Sequence, residues 1–232
     1  MDNAIYKYPR LYISDPLSVG EKIKFTTDDH HYLTNVLRKS AGDQLRLFNG
    51  RDGEFLAQLE NVSKKSSEAN IKRLLKSQPQ AVRHVRLYFA PIKKDRLPFL
   101  IEKAVELGVT DFHPVLTTRT ENRKYREDKI KSYIKEAAEQ CERLDFPILH
   151  ESLSLTDCPF ESPTYAAIER EDNPLFSPQE KTLGILIGPE GGWTGDEIDY
   201  LSTLSHITPV SLGSNILRAE TAALFMLSRI EG

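Results

Sequence analysis

The sequence predicts an α/β protein with a small β-barrel at its N-terminus, and three observations carry that prediction. Residues 22–75 form short runs of alternating polarity broken by turn residues, and residues from 85 onward alternate strand-like with helix-like stretches. Two of the later strand-like runs end in glycine-bearing loops that open into helices. The first pattern is that of a β-meander, the second that of a mostly parallel sheet covered by helices.

In the N-terminal part, strands are expected at 22–25, 44–48, 54–62 and 68–75. Asn49-Gly50 and Asp52-Gly53 supply turn chemistry between the second and third. A helical insert is expected over 30–39, where Leu33, Val36 and Leu37 share one face and Arg38 and Lys39 end it. Residues 76–82, with Ser77, Gln78, Pro79 and Gln80, have linker composition, which divides the chain into a barrel at 1–75 and an α/β domain at 83–232. Beyond the linker, strands at 85–91, 112–116, 148–151, 164–168, 183–187 and 207–212 alternate with helices at 96–107, 127–142, 195–204 and 218–230. Thr194 followed by Glu197 has the spacing of a capping box, so the helix at 195 begins directly after the first glycine loop. Residues 152–163 and 171–181, rich in Ser, Pro, Asp and Glu, read as surface loops.

Composition narrows the function classes. A net charge of −3 argues against a protein that coats nucleic acid without specificity, yet residues 1–83 carry 14 Lys+Arg against 10 Asp+Glu, and 84–232 carry 17 against 24. The acidic part holds the glycine loops, and the basic part is expected to serve another task. No apolar run approaches the roughly 20 residues needed to span a bilayer, and the N-terminal stretch lacks a signal-peptide core, so a cytoplasmic protein is expected. Cys141 and Cys158 stand without further Cys or His at metal-ligand spacing, and the six histidines show none either. Neither a disulfide scaffold nor a metal site is expected, and all histidines but His31 read as structural.

The two glycine loops run from Leu186 through Ile187, Gly188, Pro189, Glu190, Gly191 and Gly192 to Trp193, and from Ser211 through Leu212 and Gly213 to Ala222. Backbone can approach a ligand where side chains are absent, and α/β proteins bind ligands at the carboxyl ends of their strands. Neither the P-loop nor the dinucleotide spacing is present, and Pro189 removes a backbone donor that a phosphate cradle would use. Read alone, the first loop is equally a tight turn without a ligand. Arg218 and Glu220 open the last helix, either as a surface pair or with Glu220 tying down the loop while Arg218 faces substrate. Gln140 and Arg143 end a helix whose Ala137 and Cys141 form a small-residue face; a buried Gln140 would need partners. Seven basic residues between Arg119 and Lys135, with Lys93, Lys94 and Arg96, form either a solvated face or a phosphate-binding track.

At these residues the chain resembles the RsmE family of ribosomal RNA methyltransferases, within the SPOUT superfamily. The resemblance spans nearly the whole length. Its pieces are Tyr8-Pro9-Arg10-Leu11-Tyr12, His31-x4-Val36-Leu37-Arg38 with Gly42-Asp43, and Lys103-Ala104-Val105-Glu106-Leu107-Gly108-Val109. They continue with Glu136-Ala137-Ala138-Glu139-Gln140-x2-Arg143, Ile187-Gly188-Pro189-Glu190-Gly191-Gly192 and Leu217-Arg218-x-Glu220-Thr221-Ala222. The chain departs from the family pattern at Ser214-Asn215, where a basic residue is usual, and at Lys129-Ile130, where an Arg-Trp pair is.

The resemblance implies S-adenosyl-L-methionine-dependent methylation of N3 of one uridine in 16S rRNA near the decoding centre. It implies a PUA-like barrel, a SPOUT domain tied in a C-terminal trefoil knot, and a homodimer formed through that domain. Its partners would be 16S rRNA or the small ribosomal subunit, with no membrane and no metal. By the same resemblance the cofactor lies against Leu186, Ile187, Gly188, Pro189, Glu190, Gly191, Gly192, Ser211, Leu212, Gly213, Asn215, Ile216, Leu217, Glu220, Thr221 and Ala222. RNA would meet Arg10, His31, Arg38, Lys39, Lys93, Lys94, Arg96, Arg119, Arg123, Gln140 and Arg143.

Uracil N3 attacks only after losing its proton, so catalysis is expected from alignment, deprotonation and stabilisation of charge on O2 and O4. Arg38 and Arg218, from the two Leu-Arg motifs, are the expected stabilisers, and Glu190 is a base only if burial raises its pKa. Another SPOUT reaction on ribose or tRNA, or a catalytically silent RNA-binding factor, are the rival readings.

Overall fold

The computed structural model describes residues 5–80, 83–161, 163–169 and 173–230. Its contacts divide the chain into two units, Met1–Gln80 with Ala138–Phe146, and Ala81–Ala137 with Pro147–Gly232. Of the expected linker, Lys76 ends a strand, 77–80 has no regular structure, and 81–82 lies outside the described residues.

In the first unit, alternation produces β1 (Arg10–Tyr12), β2 (Lys22–Lys24), β3 (Gln44–Phe48), β4 (Glu54–Val62) and β5 (Ser67–Lys76), in the order β1-β3-β4-β5-β2. β1 runs parallel to β3 and the other neighbours are antiparallel. Three register shifts between β4 and β5 mark bulges, which bend a strand and help curl this sheet into a half-barrel. Its concave core gathers Leu11, Leu33, Leu45, Leu47, Leu59 and Ile71. β1 was not expected as a strand, since three residues are too few for alternation to be seen.

The insert expected at 30–39 is a short helix, α1 (Thr27–His31), capped by Thr26 and followed by a π-helical turn over Tyr32–Val36. Arg38 adopts φ 54°, the left-handed position that ends a helix and that glycine usually fills, and Lys39 N–H donates back to Leu33 O at 2.8 Å. The wider turn buries Leu33 but leaves Val36 58% exposed, so the apolar face expected to include Val36 does not form.

In the second unit the parallel sheet consists of β6 (His84–Phe89), β7 (Asp111–Leu116), β8 (Ile148–Leu149), β10 (Thr164–Ala167), β11 (Thr182–Ile187) and β12 (Ile207–Val210), ordered β12-β10-β11-β6-β7-β8. β9 (Leu153–Ser154) pairs with β7 off this path. The helices are α2 (Leu97–Glu106), α3 (Glu127–Gln140), α4 (Gly195–Thr203) and α5 (Ala219–Ser228). β11 is buried at five consecutive positions from Leu183 to Ile187, the mark of a strand covered on both faces. After the edge strand β12, the chain returns to the middle of the sheet, where α5 packs on β11 and α2.

Two expected surface loops carry buried anchors. Leu155 and Phe160 join the core between β9 and β10, and Phe176 is buried with its N–H donating to Ser211 O. The expected loop at 171–181 begins with residues 171–172, which lie outside the described residues. Among the described residues no helix is long and apolar enough to cross a membrane.

Candidate active site

β6 and β11 are neighbours, yet the chain continues from β6 to β7 on one side and places β10 and β12 on the other. Such a reversal of strand order opens a crevice at the carboxyl ends of the strands. A pocket of about 590 Å³ lies there, lined from the second unit alone. β6 leads into Lys93 and Arg96, β7 into Arg119, β10 into Ala167, Ile168 and Glu169, and β11 into Ile187–Trp193. Ile216, Leu217, Arg218, Ala219 and Ala222 complete it from the entry to α5.

The loop after β11 is held from three directions. Trp193 Nε1 donates to Ala167 O at 2.9 Å. Arg119 Nη1 donates to the carbonyls of Gly191 and Trp193 at 2.9 and 3.0 Å. The expected capping box closes at Thr194, whose Oγ1 accepts from Glu197 N–H while Glu197 Oε2 accepts from Thr194 N–H at 2.8 Å. Glu197 Oε1 also accepts from Thr118 N–H at 2.7 Å. Burial pushes the Glu197 carboxyl up, but the backbone bonds from Thr118 and Thr194 outweigh it and hold its pKa below the ordinary value. The glycine at 188 is required by space, since a β-carbon there would stand 2.7 Å from the Trp193 ring.

Of the expected cofactor residues, Ile187, Gly188, Pro189, Glu190, Gly191, Gly192, Ile216, Leu217 and Ala222 line the pocket. Leu186 is fully buried behind it in β11. Ser211, Leu212, Gly213, Asn215 and Thr221 do not reach its lining; Ser211 pairs with Leu175 instead. Glu220 is also off the lining: it is 8% exposed and Arg96 Nη1 donates to its Oε1 at 3.3 Å. Glu190 Oε1 lies 3.6 Å from the same Arg96 nitrogen. Sequence reasoning missed Trp193 and the third wall, Ala167–Glu169. Trp193 directly follows Gly192 and could have been included, whereas residues at the end of β10 carry no motif.

Arg218 is the N-cap of α5; its side chain is exposed at the pocket and makes no bond among the described residues. Arg38 belongs to the first unit, exposed on its left-handed turn. His31 and Lys39 line a groove of that unit together with His30, Asn35, Lys64 and Lys65. Lys93 and Lys94 are exposed.

Several of the residues expected to meet RNA make bonds within the protein. Arg10 is 6% exposed, donates to Glu54 Oε1, Ala138 O and Arg143 O at 2.6 Å each, and lies over the Phe48 ring. Its N–H groups are occupied inside the first unit, so it ties residues 138–146 to the barrel and has no face for RNA. Gln140, by contrast, is exposed at the end of α3. Arg143 is engaged by Asp145. Arg96 and Arg119 hold pocket loops, and Arg123 Nη2 donates to Thr117 O at 2.5 Å.

The fold also brings Asp111, His113 and His150 together, a group their spacing conceals. The two imidazoles stack at 4.0 Å and 7°, with Tyr88 on the other face of His113, and His150 Nε2 bonds Asp111 Oδ1 at 2.9 Å. Parallel stacked rings cannot both aim an in-plane lone pair at one ion, so the arrangement is that of a packed aromatic stack.

The pocket offers an apolar slot (Ile187, Trp193, Ile198, Leu217) with exposed loop backbone, and charged groups at its margin (Glu169, Glu190, Arg218). This suits a ligand with an aromatic body and an ionic tail. Residues 78–231 match the RNA methyltransferase domain family, and 25–72 match its PUA domain family. Ribosomal RNA small subunit methyltransferase E of Rickettsia conorii is 36% identical over 97% of this chain and 95% of its own, and that of Bacillus subtilis 28% over 88% of each. Among solved structures, ribosomal RNA small subunit methyltransferase E from Neisseria gonorrhoeae bound to S-adenosyl methionine superposes with a TM-score of 0.83 at 28% identity, covering 95% of both chains. A Legionella pneumophila protein solved in complex with SAM gives 0.86 at 28% identity, covering 96% of both chains. Sequence, domain order and fold agree from end to end, and the chain belongs to the RNA methyltransferase family of the small-subunit methyltransferase E type.

Proposed function

We propose that this chain methylates a base of 16S ribosomal RNA using S-adenosylmethionine, at N3 of a uridine in the decoding region. The observation that carries this reading is the convergence of both glycine-bearing segments on one pocket, with Arg218, whose side chain has no partner among the described residues, at its edge. When bound, S-adenosylmethionine supplies an electrophilic methyl group on a sulfonium centre. The chain's own part is to exclude water with Trp193, Ile198 and Leu217, and to present the backbone of 188–192 to the ligand. Arg218 stands where it can stabilise negative charge on a uracil oxygen once N3 is deprotonated. Glu190 is the carboxylate nearest in role to a base, although its Arg96 neighbour gives it a second task.

The groove of the first unit, with His31, Lys39, Lys64 and Lys65, suits phosphate and the RNA backbone. N3 is hidden in a paired base, so the target is unpaired or flipped out. Homodimerisation and a cytoplasmic location belong to the same proposal. Phe99 on α2, 48% exposed beside the α5 layer, is an apolar residue that a second copy would cover, which sedimentation velocity tests.

The deciding experiment is mass-spectrometric mapping of small-subunit rRNA from a strain lacking this chain, with purified protein and labelled S-adenosylmethionine added back. One N3-methyluridine that disappears and returns is the expected result. Unchanged rRNA with intact cofactor binding would move the assignment to another RNA.

A further inference from the structure

Arg96 precedes α2 as its N-cap residue, and one nitrogen of its guanidinium, Nη1, lies between two carboxylates: 3.3 Å from Glu220 Oε1 and 3.6 Å from Glu190 Oε1. Glu190 belongs to the first glycine loop. Glu220 belongs to the first turn of α5, directly after the second. Among the described residues, Arg96 is the cation that meets both. Glu220 is nearly buried and its Oε2 has no hydrogen-bond partner, so Arg96 is what balances this carboxylate.

We propose that Arg96 is a positioning residue: by holding Glu190 and Glu220 at once, it fixes the spacing of the two loops and keeps the pocket preformed for its cofactor. The inference rests on the methyl-transfer reading above. Without the cation, two like charges on opposing loops repel, the loops separate, and the binding-competent arrangement is populated for a smaller fraction of the time. Apparent affinity falls by that fraction. Arginine suits the task because its planar fork offers several donors from one centre, while a lysine places a single point charge. The role differs from the RNA contact that the sequence led us to expect for Arg96.

The test measures binding of S-adenosylmethionine and S-adenosylhomocysteine by calorimetry, RNA affinity by fluorescence anisotropy, and steady-state kcat and cofactor KM. The proteins are the full chain and its variants Arg96→Met, Arg96→Lys, Glu190→Gln and Arg96→Met with Glu190→Gln. Arg96→Met is expected to weaken both cofactor ligands about tenfold or more and to raise the cofactor KM in proportion. Arg96→Lys recovers part of the loss. Glu190→Gln, harmful alone, is expected to improve binding in the Arg96→Met background by removing the repulsion, while RNA affinity stays at the parental value. Cofactor affinity within about twofold of the parent in folded Arg96→Met overturns the proposal, as does a loss confined to RNA affinity. Should Arg96→Met not fold, parental cofactor affinity in both Arg96→Lys and Glu190→Gln overturns it. A parent chain that binds neither ligand overturns the methyl-transfer reading and this inference with it; variants of parental affinity overturn the inference alone.

Discussion

Gly188 and Trp193 exclude any side chain between them: a β-carbon at 188 would stand 2.7 Å from the indole Cε2, and the indole is itself fixed by its bond to Ala167 O. One residue thus couples the backbone of the first glycine loop to the end of β10, and the loop can hold its shape only while 188 has no side chain.

Gly188→Ala should therefore displace Trp193 and open the pocket. A loss of about 1–3 kcal/mol in stability is expected from the overpacking, with cofactor affinity falling by about tenfold or more. Urea unfolding and calorimetric titration with S-adenosylmethionine measure the two; unchanged values in both would show that the indole has room to move.

Arg218→Ala removes a side chain without partners among the described residues, so unfolding should change by no more than about 0.5 kcal/mol. If Arg218 stabilises charge that develops during transfer, the single-turnover rate at saturating cofactor falls by about 10²–10³-fold. A rate close to the parent's would remove Arg218 from the chemistry.

Arg10 and Glu54 are each 2% exposed in their side chains and 2.6 Å apart. Arg10→Met leaves a buried carboxylate with only Arg46, 3.7 Å away, and breaks the bonds to Ala138 O and Arg143 O. About 3 kcal/mol of destabilisation is expected, partly recovered by adding Glu54→Leu. Any loss of RNA affinity should follow the unfolded fraction, as denaturant melts run beside binding assays will tell.

His113 supplies a pH dependence. Burial above all, with smaller contributions from His150 and Arg86 and against the opposing pull of Asp111, lowers its pKa from 6.5 to about 4. A folded value below the unfolded one means the unfolded chain binds the extra proton between about 4 and 6.5, so stability falls as pH drops through that window. His113→Phe, which preserves the stack with Tyr88, should lose less stability than the parent between pH 7 and 5, a difference of about 2 kcal/mol. Equal losses in parent and variant would place the acid sensitivity elsewhere.

Periodicity and loop chemistry carried much of this protein. The strands at 44–48 and 54–62 are where alternation puts them, the capping box at Thr194 and Glu197 closes as its spacing requires, and the two glycine-bearing segments meet at one pocket. These features are local, since each depends on residues within a few positions of one another, and local order survives in the sequence as a pattern. The helix expected at 30–39 went astray because Arg38 takes a left-handed conformation for which an arginine gives no cue.

Other assignments depended on partners more than a hundred positions away. The family resemblance implied an RNA contact at Arg10, yet its donors meet Ala138 and Arg143 within the first unit. Arg96 and Arg119 read as a basic track, yet Glu190, Glu220 and the carbonyls of Gly191 and Trp193 hold them in place. A basic side chain is written identically whether it faces phosphate or carboxylate. The sequence by itself determined the two kinds of fold, the two glycine-bearing loops and the family; only the tertiary structure decided which cations are free, because neutralisation depends on distances of a few ångströms between residues far apart in the chain.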